Sequence, residues 1–213
     1  MKDLGVTFDQ KLTFHDHIAT VAKQSFQRLG FVLRNCRDFR TAHAIKVIFN
    51  ALVRSKLETS SCVWNPHETT YALVLEKVQK AFLRNLYKRL HGYYPYLYPT
   101  KFLLGCLGYN SLEVRRARNQ LAVACKTLRG SIDAPDLLEA LSRLYVPDNY
   151  CRGKKHRYLP VPSCRTVARA KSPIPRTLAA LNGFLDANPT NDLFVDGWKE
   201  ILSECLKYCE ANL

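Results

Sequence analysis

The sequence predicts a mainly α protein: a helical bundle, then a second helical subdomain, with a short strand at the start. Three observations carry this. Apolar residues recur at three- and four-residue spacing through most of the 213 residues. Pro66, Pro95 and Pro99 fall between such runs, where a helix must stop. Strand-like alternation opens the chain, in MKDLGVTFD, and recurs only as a short candidate at Tyr158 to Val161.

In the opening segment Leu4, Val6 and Phe8 alternate with Gly5, Thr7 and Asp9. A lone short strand cannot bury its apolar face or pair its backbone. It is expected to be the poorly tied last strand of a larger sheet, or to pair with a later segment. Met1 is the only methionine, which suits a reading frame that opens partway into a longer gene.

Helices follow in order. The first is expected over about 15–35, with Ile18, Val21, Ala22, Ser25, Leu29, Val32 and Leu33 inward and Lys23, Gln27 and Arg34 opposite. The second, about 41–57, buries Ile45, Ile48, Phe49, Leu52 and Val53. The third, about 69–90, places Leu75, Val78, Phe82, Leu86 and Leu90 on one side. Lys77, Lys80, Arg84, Lys88 and His91 lie on the other, interrupted only by Glu76. Solvated charge stripes usually mix signs, so this uniform face is a candidate for phosphate contact.

Residues 93–100 form a linker. Its tyrosines Tyr93, Tyr94, Tyr96 and Tyr98 can wedge between subdomains or stack on bases. Short helices are expected near 101–107 and 135–144, with a longer one between, capped by Ser111. In the longer helix Val114, Ala117, Leu121, Ala124 and Leu128 face inward, and Arg115, Arg116 and Lys126 outward. Residues 146–175 are proline-punctuated and basic, with Arg152, Lys154, Lys155, Arg157, Arg165, Arg169 and Lys171 and no acid after Asp148. Two helices, about 174–185 and 191–209, close the chain.

Composition narrows the function classes. A 47% hydrophobic content excludes wholesale disorder. No apolar run approaches the roughly 20 residues of a membrane span, and no signal peptide opens the chain. An intracellular soluble protein without a membrane partner is expected. Lys and Arg total 32 against 18 Asp and Glu, a net of +14, which favours a polyanionic partner. Eight cysteines without a secretion signal are expected as reduced thiols, with Cys36, Cys62, Cys106 and Cys125 as small core residues.

Several blocks, read in order, resemble a known family. DLGVTFDQKLTFHDHI (Asp3 to Ile18), LGFVLRNCRDF (Leu29 to Phe39), LVRSKLETSSCVWNP (Leu52 to Pro66) and LEKVQKAFLR (Leu75 to Arg84) resemble the palm-to-thumb junction and thumb of jockey-type non-LTR retrotransposon reverse transcriptases. LGYNSLEVRRA (Leu107 to Ala117), IDAPDLLE (Ile132 to Glu139), LPVPSCRT and KSPIPR (Leu159 to Arg176) resemble the C-terminal region of the same proteins. The resemblance covers nearly the whole chain. It implies a palm-strand remnant at 1–10, a thumb-like bundle at 11–92, the linker, and a helical C-terminal region at 101–213. It further implies contact with an RNA or DNA duplex, or an RNA–DNA hybrid, through its backbone. The family's fingers, endonuclease and catalytic palm lie outside these blocks. Thr59 stands where the family shows a tyrosine after Glu58.

Catalysis is not expected from this chain. Polymerase chemistry needs clustered carboxylates for two metal ions about 4 Å apart, and no two aspartates are adjacent. Phe194-Val195-Asp196-Gly197 lacks the second carboxylate. His15, Asp16 and His17 fit core or cap roles better than a metal site. Cys151, His156 and Cys164 lack the close cysteine pair of a zinc knuckle, and Cys205 and Cys209 suit a helix face. No cofactor or metal is expected. The candidate nucleic-acid contacts are Lys77, Lys80, Arg84, Lys88, Arg115, Arg116, Lys154, Lys155, Arg157 and Arg165. The alternative is a helical module that docks a protein partner.

Overall fold

A computed structural model describes residues 1–39, 41–142 and 159–213. The chain is mainly helical, as expected. It divides into two compact units, Met1–Arg115 and Arg116–Leu213. The division falls past the tyrosine linker, so residues 101–115 belong with the first unit.

The opening segment is a small antiparallel hairpin, β1 (Lys2–Asp3) and β2 (Val6–Thr7), with Lys2 opposite Thr7 and Asp3 opposite Val6. The expected strand over Leu4 to Phe8 is therefore corrected. Leu4 and Gly5 form the two-residue turn, at φ 43° and 84°, the left-handed region that such hairpin turns require. Leu4 is exposed at the tip, while Val6 is buried and Phe8 packs edge-on against Phe14 at 5.6 Å. The segment pairs with the residues just before it and folds onto the first helix.

Asp9 shapes the entry to that helix. Its carboxylate accepts the N–H groups of Thr13 and Phe14 at 3.0 and 2.8 Å and the Thr13 hydroxyl at 2.9 Å. These donors hold its carboxyl well below the usual carboxylate range. Leu12 and Phe14 sit at positive φ in the loop that this carboxylate gathers.

Helix α1 (His15–Asn35) buries His17, Ile18, Val21, Ala22, Ser25, Leu29 and Val32. Helix α2 (Ala42–Phe49) runs through a π-helical turn (Asn50–Arg54) into α3 (Ser55–Glu58). The buried residues are Ile45, Phe49, Val53 and Leu57, spaced by four; the expected Leu52 is 40% exposed. Four-residue spacing drifts around a helix of 3.6 residues per turn, and the wider π turn cancels the drift. After α4 (Ser61–Trp64), helix α5 (Thr69–His91) buries Leu75, Val78, Phe82, Leu83, Leu86 and Tyr87. Leu90, expected on that stripe, is exposed in the last turn, beyond the reach of the core.

Helices α1 and α5 run parallel. His15 stacks on Tyr71 at 4.1 Å near their starts, and Arg89 reaches the Cys36 carbonyl near their ends. Phe49 stacks on Phe82 at 3.6 Å in the core between them and α2. Trp64 is buried, packs edge-on to His17 and donates its indole N–H to the Thr59 carbonyl at 2.9 Å. Residue 59 thus serves Trp64 through its backbone, and a threonine side chain meets that need. Helix α6 (Thr100–Leu107) completes the unit; Lys46 caps its end by donating to the Leu107 carbonyl at 2.7 Å.

Helix α7 (Leu112–Leu128) leads into the second unit, followed by α8 (Pro135–Ser142), the short α9 (Val167–Ala170), α10 (Pro173–Ala187) and α11 (Trp198–Asn212). The last helix starts later than the expected residue 191. Asp192 accepts the Phe194 N–H at 2.8 Å and holds this stretch in a turn. The core here holds Leu121, Ala124, Cys125, Leu178, Leu181, Phe184, Ile201 and Cys205. The Asn182 amide mimics a strand partner: it accepts the Leu159 N–H at 2.9 Å and donates to the Leu159 carbonyl at 2.8 Å. Of the candidate strand at Tyr158 to Val161, Tyr158 lies outside the described residues and Leu159 to Val161 are not a strand. Gly183 allows α10 to approach α11, because a Cβ there would lie 2.1 Å from the Tyr208 hydroxyl.

Candidate nucleic-acid interface

The ten basic residues singled out by sequence have three fates. Lys77, Lys80 and Lys88 are exposed on α5, and Arg165 is exposed ahead of α9. Lys154, Lys155 and Arg157 lie outside the described residues. Arg84, Arg115 and Arg116 are drawn inward, against the expectation that they face solvent.

Arg84 sits on the basic face of α5, half-buried, with its guanidinium engaged by protein carbonyls. It donates to the carbonyls of Pro95, Tyr96 and Tyr98 at 2.5, 3.1 and 3.4 Å, and lies 5.9 Å from the Tyr94 ring. The fork of a guanidinium is suited to several carbonyls at once. The linker therefore folds back along the middle of the basic face, with Lys80 one turn before Arg84 and Lys88 one turn after.

Arg115 belongs to a polar cluster around the π turn. It pairs with Glu58 through two nitrogens, one at 3.0 Å, and Glu58 also holds Arg54 at 3.5 Å. Arg54 lies 5.4 Å from the Tyr109 ring, and the Tyr109 hydroxyl donates to Asn50 at 3.1 Å. Burial pushes the Tyr109 hydroxyl up to about 12, and burial together with Arg115 lowers the Arg54 guanidinium. One carboxylate is thus shared between two arginines. Arg116 is 1% exposed, so its charge is closed to an external phosphate.

Glu76, the acid that interrupts the basic stripe, is turned away from it. Its carboxylate accepts the Glu113 N–H at 3.0 Å in the first turn of α7. From residue 77 to residue 112 the sequence holds no acid.

Periodicity missed one further group. Leu33, Arg34, Arg37, Asn85, Lys88 and Arg89 line an open cleft of about 540 Å³ where α1 and α5 end together. Arg89 is committed to the carbonyls of Cys36, Arg37 and Phe39. Arg34, Arg37 and Lys88 are exposed. Cations are favourable at helix C-termini, and two parallel helices bring two such ends together. The signal in the sequence is the basic last turn of each helix.

The remaining candidates resolve into structural roles. His17 is 5% exposed and accepts the Thr7 N–H at Nδ1, 3.2 Å away; burial and Lys56 lower its pKa. Asp196 accepts the Asp192 N–H at 2.8 Å, shaping the turn before α11. Among the described residues, no three His, Cys, Asp or Glu side chains are placed to hold a metal ion. Of the candidate knuckle, Cys151 and His156 lie outside the described residues. None of the described cysteines is joined in a disulfide. Cys36, Cys125, Cys205 and Cys209 are buried, but Cys106 is exposed and Cys62 half-buried, against the expectation for those two. Among the described residues no helix is long and apolar enough to cross a membrane.

Comparison with known proteins adds one relative. The chain is 24% identical over 152 residues to an uncharacterized protein of Caenorhabditis elegans, covering 70% of this chain and 74% of that protein. No family model and no solved structure matches.

Proposed function

We propose that this chain binds nucleic acid through its sugar–phosphate backbone, as an intracellular, non-catalytic counterpart of the thumb and C-terminal region of a jockey-type non-LTR reverse transcriptase. The observation that carries the reading is the acid-free run 77–112, with Lys77, Lys80 and Lys88 exposed along one helix. These lysines span about three turns of α5, on the side away from its buried leucines. Arg34 and Arg37 extend the positive surface at the end of α5. Such contacts position a duplex without reading its sequence. Polymerisation would be the task of parts outside this chain, since two-metal chemistry needs a carboxylate cluster.

The test is a titration of the purified chain against a labelled RNA–DNA hybrid and a DNA duplex of unrelated sequence, at several salt concentrations. Affinity should fall steeply with salt and vary little with sequence. Salt-independent binding, or none, refutes the reading. A parallel primer-extension assay with magnesium should give no product.

A further inference from the structure

Two of the linker tyrosines join Tyr87 of α5, and Tyr96 stands apart from them. Tyr87, Tyr93 and Tyr98 form a hydroxyl ladder, 3.0 Å at each step, with edge-on rings 5.7 to 6.2 Å apart. This set is structural. Tyr96 belongs to neither ladder nor core: it is 78% exposed, beside a Leu97 that is 94% exposed. Its backbone is nevertheless fixed, by the Arg84 guanidinium on the carbonyls at 95, 96 and 98 and by its own N–H on the Tyr94 carbonyl at 3.0 Å. Its ring lies 4.6 Å from the Tyr94 ring, tilted at 53°, and presents most of its surface to solvent beside a cationic helix face.

We propose that the 93–98 loop is a stacking platform for unpaired bases of a single-stranded nucleic acid, with Tyr96 as the ring that takes a base. The inference rests on the backbone-binding reading above and extends it to a second form of the same ligand. Stacking suits any base, because every base has a π face, and it works beside cations that track the backbone. Lys80 and Lys88 flank the Arg84 clamp on α5, and Lys101 follows the loop at the start of α6. The absence of any acid between residues 77 and 112 sets a polyanion, rather than a basic or neutral protein surface, as the occupant. A duplex keeps its base faces stacked inside, so the ring adds nothing to duplex binding away from its ends.

The test compares three labelled probes on the full chain: a short oligodeoxythymidine, an abasic oligomer of the same length, and a DNA duplex. The unsubstituted chain should bind the oligodeoxythymidine about tenfold more tightly than the abasic oligomer. Tyr96→Ala should abolish that difference while leaving abasic and duplex affinity within about twofold, and Tyr96→Phe should retain it. Circular dichroism and thermal unfolding of Tyr96→Ala should match the unsubstituted chain, since the ring is exposed. If Tyr96→Ala binds oligodeoxythymidine as the unsubstituted chain does, the stacking role is overturned; a ring that serves a protein partner gives this result. Duplex binding without single-strand binding overturns the platform and leaves the backbone reading standing. Binding to none of the three probes removes both.

Discussion

Helices α5 and α7 carry the same kind of signal in sequence, basic residues opposite an apolar stripe, and the structure uses them differently. On α5 the lysines stay in solvent, at Lys77, Lys80 and Lys88. On α7 Arg115 is paired with Glu58 and Arg116 is closed to solvent. The difference follows residue type more than helix. Arg84, on the same face as the α5 lysines, also turns to protein carbonyls. Arg28 donates to the Leu52 carbonyl, Arg89 to three carbonyls past α1, Arg129 to the Asp196 carbonyl and Arg176 to Gln120. A planar fork of five donors serves several acceptors in fixed directions, whereas an ammonium is compact and strongly hydrated. Lys46, which caps α6, shows that the sorting is a preference of geometry and not a rule.

The largest effect is expected where an arginine pair shares one carboxylate. Glu58→Gln leaves Arg54 and Arg115 side by side in a half-buried cluster and should cost about 2 kcal/mol of stability, discounted from a fully buried pair for its partial exposure. Chemical denaturation measures it. A loss near zero would mean that the Arg115 side of the comparison is a surface pair after all.

A comparable loss should follow Gly183→Ala. In an open helix this change stabilises by roughly 1 kcal/mol. Here the new Cβ meets the Tyr208 hydroxyl at 2.1 Å, so stability should fall, by about 1–3 kcal/mol as for overpacked cores. Tyr208→Phe in the same chain removes that oxygen and should restore part of it. This places the second unit's tolerance in packing, in contrast to the charge network of the first.

Arg84→Lys sharpens the contrast within α5. A single ammonium cannot hold three carbonyls in this fixed fork, so the variant should lose about 1–2 kcal/mol, and proteolysis should cut more readily within 93–98. Equal protease resistance would show that Lys and Arg are interchangeable there.

The smallest effect is in the pH dependence. Burial lowers the His17 pKa, so between its folded value and the ordinary one near 6.5 the unfolded chain binds more protons. The His17 contribution is complete above about pH 6.5 and is lost as pH falls through the folded value. Thermal midpoints should decline over that window, and His17→Gln should flatten the decline.

The helices were legible because their stripes are long and regular, as in α1 and α5. The π turn was not, because Ile45, Phe49, Val53 and Leu57 look like a drifting α-helical stripe until the extra residue per turn is known. The hairpin was half legible: Gly5 is a turn signal, but Leu4 at φ 43° is an unusual residue in its place. The exposure of Lys77, Lys80 and Lys88 was legible in sequence, and the inward turn of Arg84, Arg115 and Arg116 was not. Nothing local to α5 says that Arg84 is claimed by carbonyls 11 to 14 residues away. That fold-back also puts the tyrosine loop on the basic face, which no helical period contains.

The most direct measurement is the salt dependence of duplex affinity for the triple variant Lys77→Ala, Lys80→Ala, Lys88→Ala. Each phosphate neutralised contributes a slope of about −0.9 in log affinity against log salt on B-form DNA. If these lysines hold the backbone, the slope should flatten by roughly 2 to 3 units. The thermal midpoint should stay close to that of the unsubstituted chain, because exposed charges contribute little to folding. An unchanged slope and affinity would contradict the account: the lysines of α5 would then be solvated charges, and the division of labour between lysine and arginine would carry no functional meaning.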